Sequence, residues 1–381
     1  MACYGNSITS LATARSAVDA LFSIVDPGSL YERPIPLRHR LVFYIGHVEA
    51  FDRNLIATAI PGLASASRDL DRLFAFGIDP GAGNLPSDMP DDWPSMERIG
   101  DYCDRTRMLV DASWDAVPTQ LRHVAIEHRL MHAETLAYMV HAMCPSKKNG
   151  PAEDVPLGSA PDPELFRIEA GPVTLGQTNV DEFGWDNEFQ PHTAFVEEFQ
   201  MDAFKVTNGE YLNFVAAGGS PSPFWIRRKN EWLLRRMFDE IPLPLNWPVY
   251  VTQRQAASYV EWRGASLPTE EQWQRAAYAD DGAEAPRGNF DFRRWDPEPV
   301  EEGMFGNGWE WTSSRFRPFP GFRPFPFYPG YSADFFDDDH FVLKGGSPRT
   351  DAVFLRKSFR NWFRSDYPYV FATFRCIDNS Q

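Results

Sequence analysis

In the first third of the chain, apolar residues recur at helical spacing. Leu11, Ala14, Val18, Leu21 and Val25 fall on one stripe and predict an amphipathic helix over residues 7–25. A link rich in Pro and Arg, Pro27 to Arg40, leads to the largely apolar, helix-compatible run Leu41 to Phe51. Residues 78–94 cannot continue a helix, because Pro86, Pro90 and Pro94 each lack the N–H that a helix interior requires. A third helix is expected from Ser95 to about Trp114. A fourth follows, with no Pro or Gly between Leu121 and Met143 and with Leu121, Val124, Ala125, Leu130 and Leu136 among its apolar positions. Four helices in about 145 residues is the size of an up-and-down bundle, whose inward faces are common metal sites.

The pattern then changes. A stretch rich in Pro and polar residues is followed, after Phe166, by short β-like runs with many Gly, Pro and aromatic residues. Helical patches are expected at Val206–Ala216, Thr252–Trp262 and Thr269–Tyr278. In the last of these Thr269 stands as an N-cap before the first-turn acids Glu270 and Glu271. The final third, dense in Trp, Phe, Arg and Gly, suits an irregular α/β domain held by large aromatic contacts. The expected organisation is a helical bundle over 1–145, a linker over 146–163 and a second domain over 164–381.

Composition narrows the function classes. A chain of 381 residues, 43% apolar, with 12 Trp, 30 Phe and 13 Tyr, has ample material for two cores. Lys+Arg 37 against Asp+Glu 53 gives a net charge of -16, which argues against a nucleic-acid or anionic-membrane binder. No apolar run reaches ~18 residues and no basic segment near residue 1 leads into an apolar one. A soluble, cytoplasmic protein with no membrane partner is expected. Cys3, Cys103, Cys144 and Cys376 are scattered without a CxxC, so neither a disulfide framework nor a zinc knuckle is expected.

The candidate chemistry lies on the fourth helix. His128 and His132 are four residues apart, so their imidazoles stack on one face and can grip one divalent ion. His47, in the second apolar run, is the best candidate for a third ligand. The pair alone is equally compatible with buried, hydrogen-bonded histidines that hold no metal. Three imidazoles would suit iron(II) with open positions or a hydrolytic zinc, for which Glu127, Glu134 and Glu49 are candidate bases.

Motifs in the second half carry a family resemblance. Gly171-Pro-Val-Thr-Leu-Gly176, Asp186-Asn-Glu188 with Pro191-His192, Phe204-Lys-Val-Thr-Asn208 and Pro248-Val-Tyr-Val-Thr252 occur in order. Leu267-Pro-Thr-Glu-Glu-Gln-Trp273, Gly306-Asn-Gly-Trp-Glu-Trp311, Leu343-Lys-Gly-Gly-Ser347 and Phe374-Arg375 complete the series. This half resembles the formylglycine-generating-enzyme-like (sulfatase-modifying factor) domain, a C-type-lectin-like fold. True formylglycine-generating enzymes need a copper-binding cysteine pair, and only Cys376 lies in this half. The domain joined to a DinB-like four-helix bundle, an α + α/β chain, resembles the ergothioneine-pathway non-haem iron sulfoxide synthases.

That resemblance implies iron(II) at Gly46-His47, His128 and His132, placed between the domains, with dioxygen as co-substrate. It implies a carbon–sulfur bond from a thiol donor to imidazole C2 of hercynine (trimethylhistidine). Tyr331, in the loop before the Leu343 strand, matches the family's proton donor, with Tyr328 as a near rival. Arg360-Asn361-Trp362 matches the segment lining the hercynine pocket, where Trp362 would face the quaternary ammonium; the alternative is that Trp362 is core and Arg360 a structural ion-pair partner. Glutamylcysteine-using members carry an Asp where this chain has Phe363, so their donor pocket does not carry over. The main alternative within the family is a selenoneine synthase using a selenosugar. From another class, the chain could be a non-catalytic lectin-like binding module with a structural zinc.

Overall fold

The computed structural model describes residues 10–75, 86–151, 153–154, 161–179, 181–278 and 286–378. The chain divides into two compact units, Met1–Pro151 and Ala152–Gln381. Of the expected linker, residues 152 and 155–160 lie outside the described residues, as do 7–9 of the first expected helix and 78–85 of the proline-broken stretch.

In the first unit α1 (Leu11–Ser23) starts where the Ser10 side chain accepts a hydrogen bond from the Thr13 N–H, which satisfies one of the orphan donors of the first turn. The predicted stripe is buried, but the helix stops at Ser23, and Val25 instead bridges to Lys148. Next come α2 (Leu41–Ala57), α3 (Arg68–Leu73), α4 (Met96–Ser113) and α5 (Thr119–Ala142). The six-residue α3 was not expected, since one and a half turns show no readable periodicity. α5 packs on α1 and α2, and α2 also packs on α4. Flanked on two sides, α5 is buried over most of its circumference, including Glu127, His128, Arg129 and His132. Polar groups at such depth need partners or a bound ion. No described helix is long and apolar enough to cross a membrane.

The second unit begins with β1 (Leu165–Ile168), β2 (Gly171–Leu175), β3 (His192–Val196) and β4 (Phe199–Asp202). There follow α6 (Asn208–Ala216), β5 (Trp225–Arg228), β6 (Glu231–Arg235), β7 (Glu240–Pro242), α7 (Gln253–Arg263) and α8 (Glu270–Ala277). The chain continues through β8 (Trp309–Arg315), β9 (His340–Lys344), β10 (Asn361–Arg364), β11 (Ala372–Thr373) and β12 (Ile377–Asp378). The three helices fall on the three predicted patches. Each opens with a capping box: Thr207 with Glu210, Thr252 with Gln255, Thr269 with Gln272.

One four-stranded sheet, in the order β10-β9-β8-β11, matters most for function. β9 runs antiparallel to both β8 and β10, with Trp362 opposite Val342 and Phe363 opposite Phe341. β10 is therefore an edge strand, and its successive side chains face opposite sides of the sheet. At the centre of the unit lies Glu310 on β8, fully buried. It accepts from Arg375 Nε at 3.1 Å, from the Trp273 indole N–H at 3.1 Å and from Lys205. Burial alone would raise the Glu310 carboxyl, but the Arg375 and Lys205 charges outweigh it and hold it below the usual carboxylate range.

Candidate metal centre and the aromatic loop

α2 and α5 bring His47, His128 and His132 together, with one ring nitrogen of each within 4.8 Å of the others. The Nε2 atoms of His128 and His132 are 3.1 Å apart. Two ligands that share one ion at the usual metal–imidazole distance of about 2.0–2.1 Å stand at about this separation. All three rings are buried. Burial drives the His47 pKa down to about 4 and those of His128 and His132 well below the ordinary imidazole value, aided by the neighbouring His and Arg charges. All three are thus neutral at physiological pH, the state in which imidazole binds a metal.

Aromatic neighbours and one carbonyl set the ring orientations. Phe51 stacks on His128 at 3.4 Å between centroids, and Phe43 stacks on His47 at 4.8 Å. His47 Nδ1 lies 2.7 Å from the Phe74 carbonyl oxygen. A carbonyl only accepts, so Nδ1 carries the proton and the Nε2 lone pair points away from it. That Nε2 is buried and has no hydrogen-bond partner among the described residues. A cation held by the three rings would satisfy it, so the donor set fits a divalent metal.

Phe74 lies just past the end of α3, where helix carbonyls lack intrahelical partners. It reaches His47 because residue 46 is glycine: a Cβ there would meet the Phe74 ring at 2.4 Å. Gly46→Ala is therefore expected to push Phe74 and its carbonyl away. Metal affinity should fall by roughly 10–100-fold, as for other lost outer-shell partners, with helix content by circular dichroism unchanged. Equal affinity in the variant would show that the Phe74 contact does not matter.

Glu49, one of the candidate bases for a zinc hydrolase, is completely buried and held by Arg129 and Arg107. It is therefore engaged in ion pairs.

In the second unit the structure brings Tyr331 and Trp362 together. Their rings meet edge-on at 5.4 Å, and Tyr331 also stacks on Trp185 at 3.9 Å and 19°. The neighbouring Ser332 donates to Asp186 Oδ1 at 2.5 Å, so residues 331–332 are held by residues 185–186. Tyr328 lies 5.6 Å from Tyr331, and burial pushes its phenol up to about 12. Trp362 stacks on Phe316 at 4.2 Å.

The other predicted residues divide. Arg360 is buried, pairs with both carboxylate oxygens of Glu270 at 2.8 and 3.0 Å and donates to the Arg317 carbonyl at 2.9 Å. This geometry favours an anchoring role for Arg360 over direct contact with a substrate. Asn361 Oδ1 accepts from the Trp362 N–H at 2.9 Å. Phe363 stacks on Tyr367 at 5.2 Å and 18°, on the face of β10 opposite Trp362. Trp185 was missed in the sequence, although it directly precedes the Asp186-Asn-Glu188 motif.

Residues 152–299 and 301–380, more than half of the chain, match the sulfatase-modifying factor enzyme 1-like domain. Ergothioneine biosynthesis protein 1 of Neurospora crassa is 26% identical over 91% of this chain and 55% of its own length. Hercynine oxygenase of Mycobacterium tuberculosis is 34% identical over 51% of this chain and 55% of its own. That of Mycolicibacterium thermoresistibile is 29% identical over 72% of this chain and 73% of its own. The chain spans about half the length of the fungal relatives it matches. The domain match lies within the second unit, while similarity over 91% of the chain to the Neurospora crassa relative reaches into the helical unit. The chain belongs to the sulfatase-modifying factor enzyme 1-like domain family.

Proposed function

We propose that this chain is an iron(II)- and oxygen-dependent synthase that joins a thiol donor to imidazole C2 of hercynine. The observation that carries it is the convergence of three neutral, buried imidazoles, in a chain similar to proteins named hercynine oxygenase. Iron(II) suits imidazole ligands, and three of them leave positions open for reactants. When bound, the iron would gather the substrate imidazole, the donor and dioxygen and activate the oxygen. The chain's residues supply placement, which accounts for much of such catalysis. Trp362 offers an aromatic face to the trimethylammonium group, and Asn361 a polar contact to the ammonium or carboxylate. Iron content, oxygen uptake in the presence of hercynine and mass spectrometry of the products test the proposal. Retained zinc with no oxygen uptake would point instead to a non-catalytic, lectin-like module.

In this proposal the Tyr331 hydroxyl delivers a proton during coupling. Tyr331→Phe should keep metal content and hercynine binding. It should lose coupling by about 100-fold or more, the scale of a general acid, with oxygen diverted to oxidising the donor alone. An unchanged coupling rate would pass the role to Tyr328 or to water.

The donor reading rests on the lack of an acid at residue 363, where, across β10 from Trp362, Phe363 stacks on Tyr367. Their stacked rings offer no charge to pair with a peptide's ammonium and carboxylate, and an unpaired charge against apolar surface is unfavourable. A smaller or neutral donor fits better: a sugar-borne donor has no such charges, and cysteine has one carboxylate fewer to pair than glutamylcysteine. The same observation supports a second reading, in which a selenosugar donor gives a carbon–selenium bond. Glutamylcysteine is expected to react at least about tenfold less efficiently than the preferred donor, a typical pocket discrimination. Competition between donors at fixed hercynine checks this, and preferred turnover of glutamylcysteine would refute it.

A further inference from the structure

Directly beside the imidazole trio the bundle buries a group of charges. Arg129 follows His128 on α5, and Glu49 lies two residues after His47 on α2. Arg129, Glu49 and Asp52 have no solvent exposure. Arg129 Nη1 donates to Glu49 Oε1 at 2.8 Å. Its Nη2 donates to Glu49 Oε2 at 3.0 Å, to the Val48 carbonyl at 2.9 Å and to the Asp52 carboxylate. From α4, Arg107 Nε reaches the same Glu49 at 2.9 Å, and its other nitrogens grip Asp19 of α1 at 2.7 and 2.8 Å. Arg15 of α1 closes the set on Asp111 of α4 at 2.7 Å. All four long helices of the unit are joined by this one network.

Apolar packing is non-directional and tolerates small shifts of one helix along another. A bidentate guanidinium–carboxylate pair does not, because its two parallel bonds form in one geometry. A slip of one turn between α2 and α5 would move His47 by about 5.4 Å, further than the 4.8 Å within which the three ligand nitrogens lie. It would also leave buried charges unpaired, a heavily penalised state, and buried ionic groups are best attested as devices that specify register.

We propose that Arg129, with Glu49 and Asp52, is a positioning unit that fixes the register of α2 against α5 and so sets the geometry of the metal ligands. It rests on the metal reading of the three histidines. The network does not touch the reactants; it acts through the ligands.

The test is a titration of the metal-free full chain with cobalt(II), followed by visible absorption, alongside the thermal midpoint of each metal-free variant. Glu49→Gln and Arg129→Lys should weaken cobalt binding by about tenfold or more, the scale of an outer-shell loss, and shift the cobalt bands. Asp52→Asn retains an oxygen acceptor and the Arg129–Glu49 pair, so it should fold. It should give a smaller shift in the same direction, and it decides the matter if the other two do not fold. Folded variants with wild-type affinity and an unchanged spectrum, even with a lowered midpoint, would reduce the network to plain stabilisation and overturn the proposal. Absence of cobalt binding by the wild-type chain would instead remove the metal reading on which it rests.

Discussion

A His128→Ala or His132→Ala chain should lose its tightly bound metal and all coupling of hercynine, yet keep its fold. Each substitution removes a direct ligand, so the loss of affinity should exceed the roughly 10–100-fold expected for an outer-shell partner such as Phe74. The fold should survive because the metal-free wild type already buries three neutral imidazoles, and each substitution removes one hydrogen bond, the 3.1 Å contact between the His128 and His132 Nε2 atoms, a net loss of about 0.5–1.5 kcal/mol. A bound metal stabilises the native state in proportion to the logarithm of its concentration over its dissociation constant. Added iron(II) or zinc should therefore raise the thermal midpoint of the wild type and leave that of the variants unmoved. Metal analysis and differential scanning calorimetry check both halves. Full activity in His128→Ala would sink the assignment. Substitution of His340, which is held by Asp337, should leave metal content unchanged.

The second large effect is on stability. Arg375→Ala should destabilise the second unit by about 3–5 kcal/mol, the usual result of removing one partner from a buried ion pair. Arg375 is fully buried, and besides Glu310 it serves the carbonyls of Asp202, Ala203 and Gly303. Its loss leaves Glu310 with Lys205, whose ammonium burial already depresses to about 8, and strands three carbonyl acceptors. At about 2–4 °C per kcal/mol for a unit of this size, the thermal midpoint should drop by roughly 6–20 °C. Metal binding by the helical unit should persist below that midpoint, since the histidines lie in Met1–Pro151. A midpoint within about 2 °C of wild type would show that water or rearrangement replaces the guanidinium.

The extent to which this protein was legible in its sequence follows from the range of the interactions concerned. The His128–His132 pair was readable because one helix defines it, and the caps of α6, α7 and α8 because a capping box spans four residues. The ordered motifs from Gly171 to Arg375 were readable as a resemblance, and the matched domain bears them out. The short α3 was not readable, and while an ion-pair role for Arg360 was open, its partner Glu270, 90 residues away, was not. Nor could the sequence place Trp362 and Phe363 on opposite faces before β10 was known to pair with β9.

By itself, then, the amino-acid order determined a helical unit, an aromatic-rich α/β unit and a pair of imidazoles on one helical face. These are consequences of local periodicity and side-chain chemistry, which act over a few residues. Tertiary structure alone decided that the Phe74 carbonyl, 27 residues from His47, sets that ring's tautomer. It also decided that Arg129 meets Glu49 across 80 residues, and that Ser332 meets Asp186 across 146. Each is a directional contact between distant segments. Its partner is chosen by how whole elements pack, and no local pattern in the sequence encodes that choice.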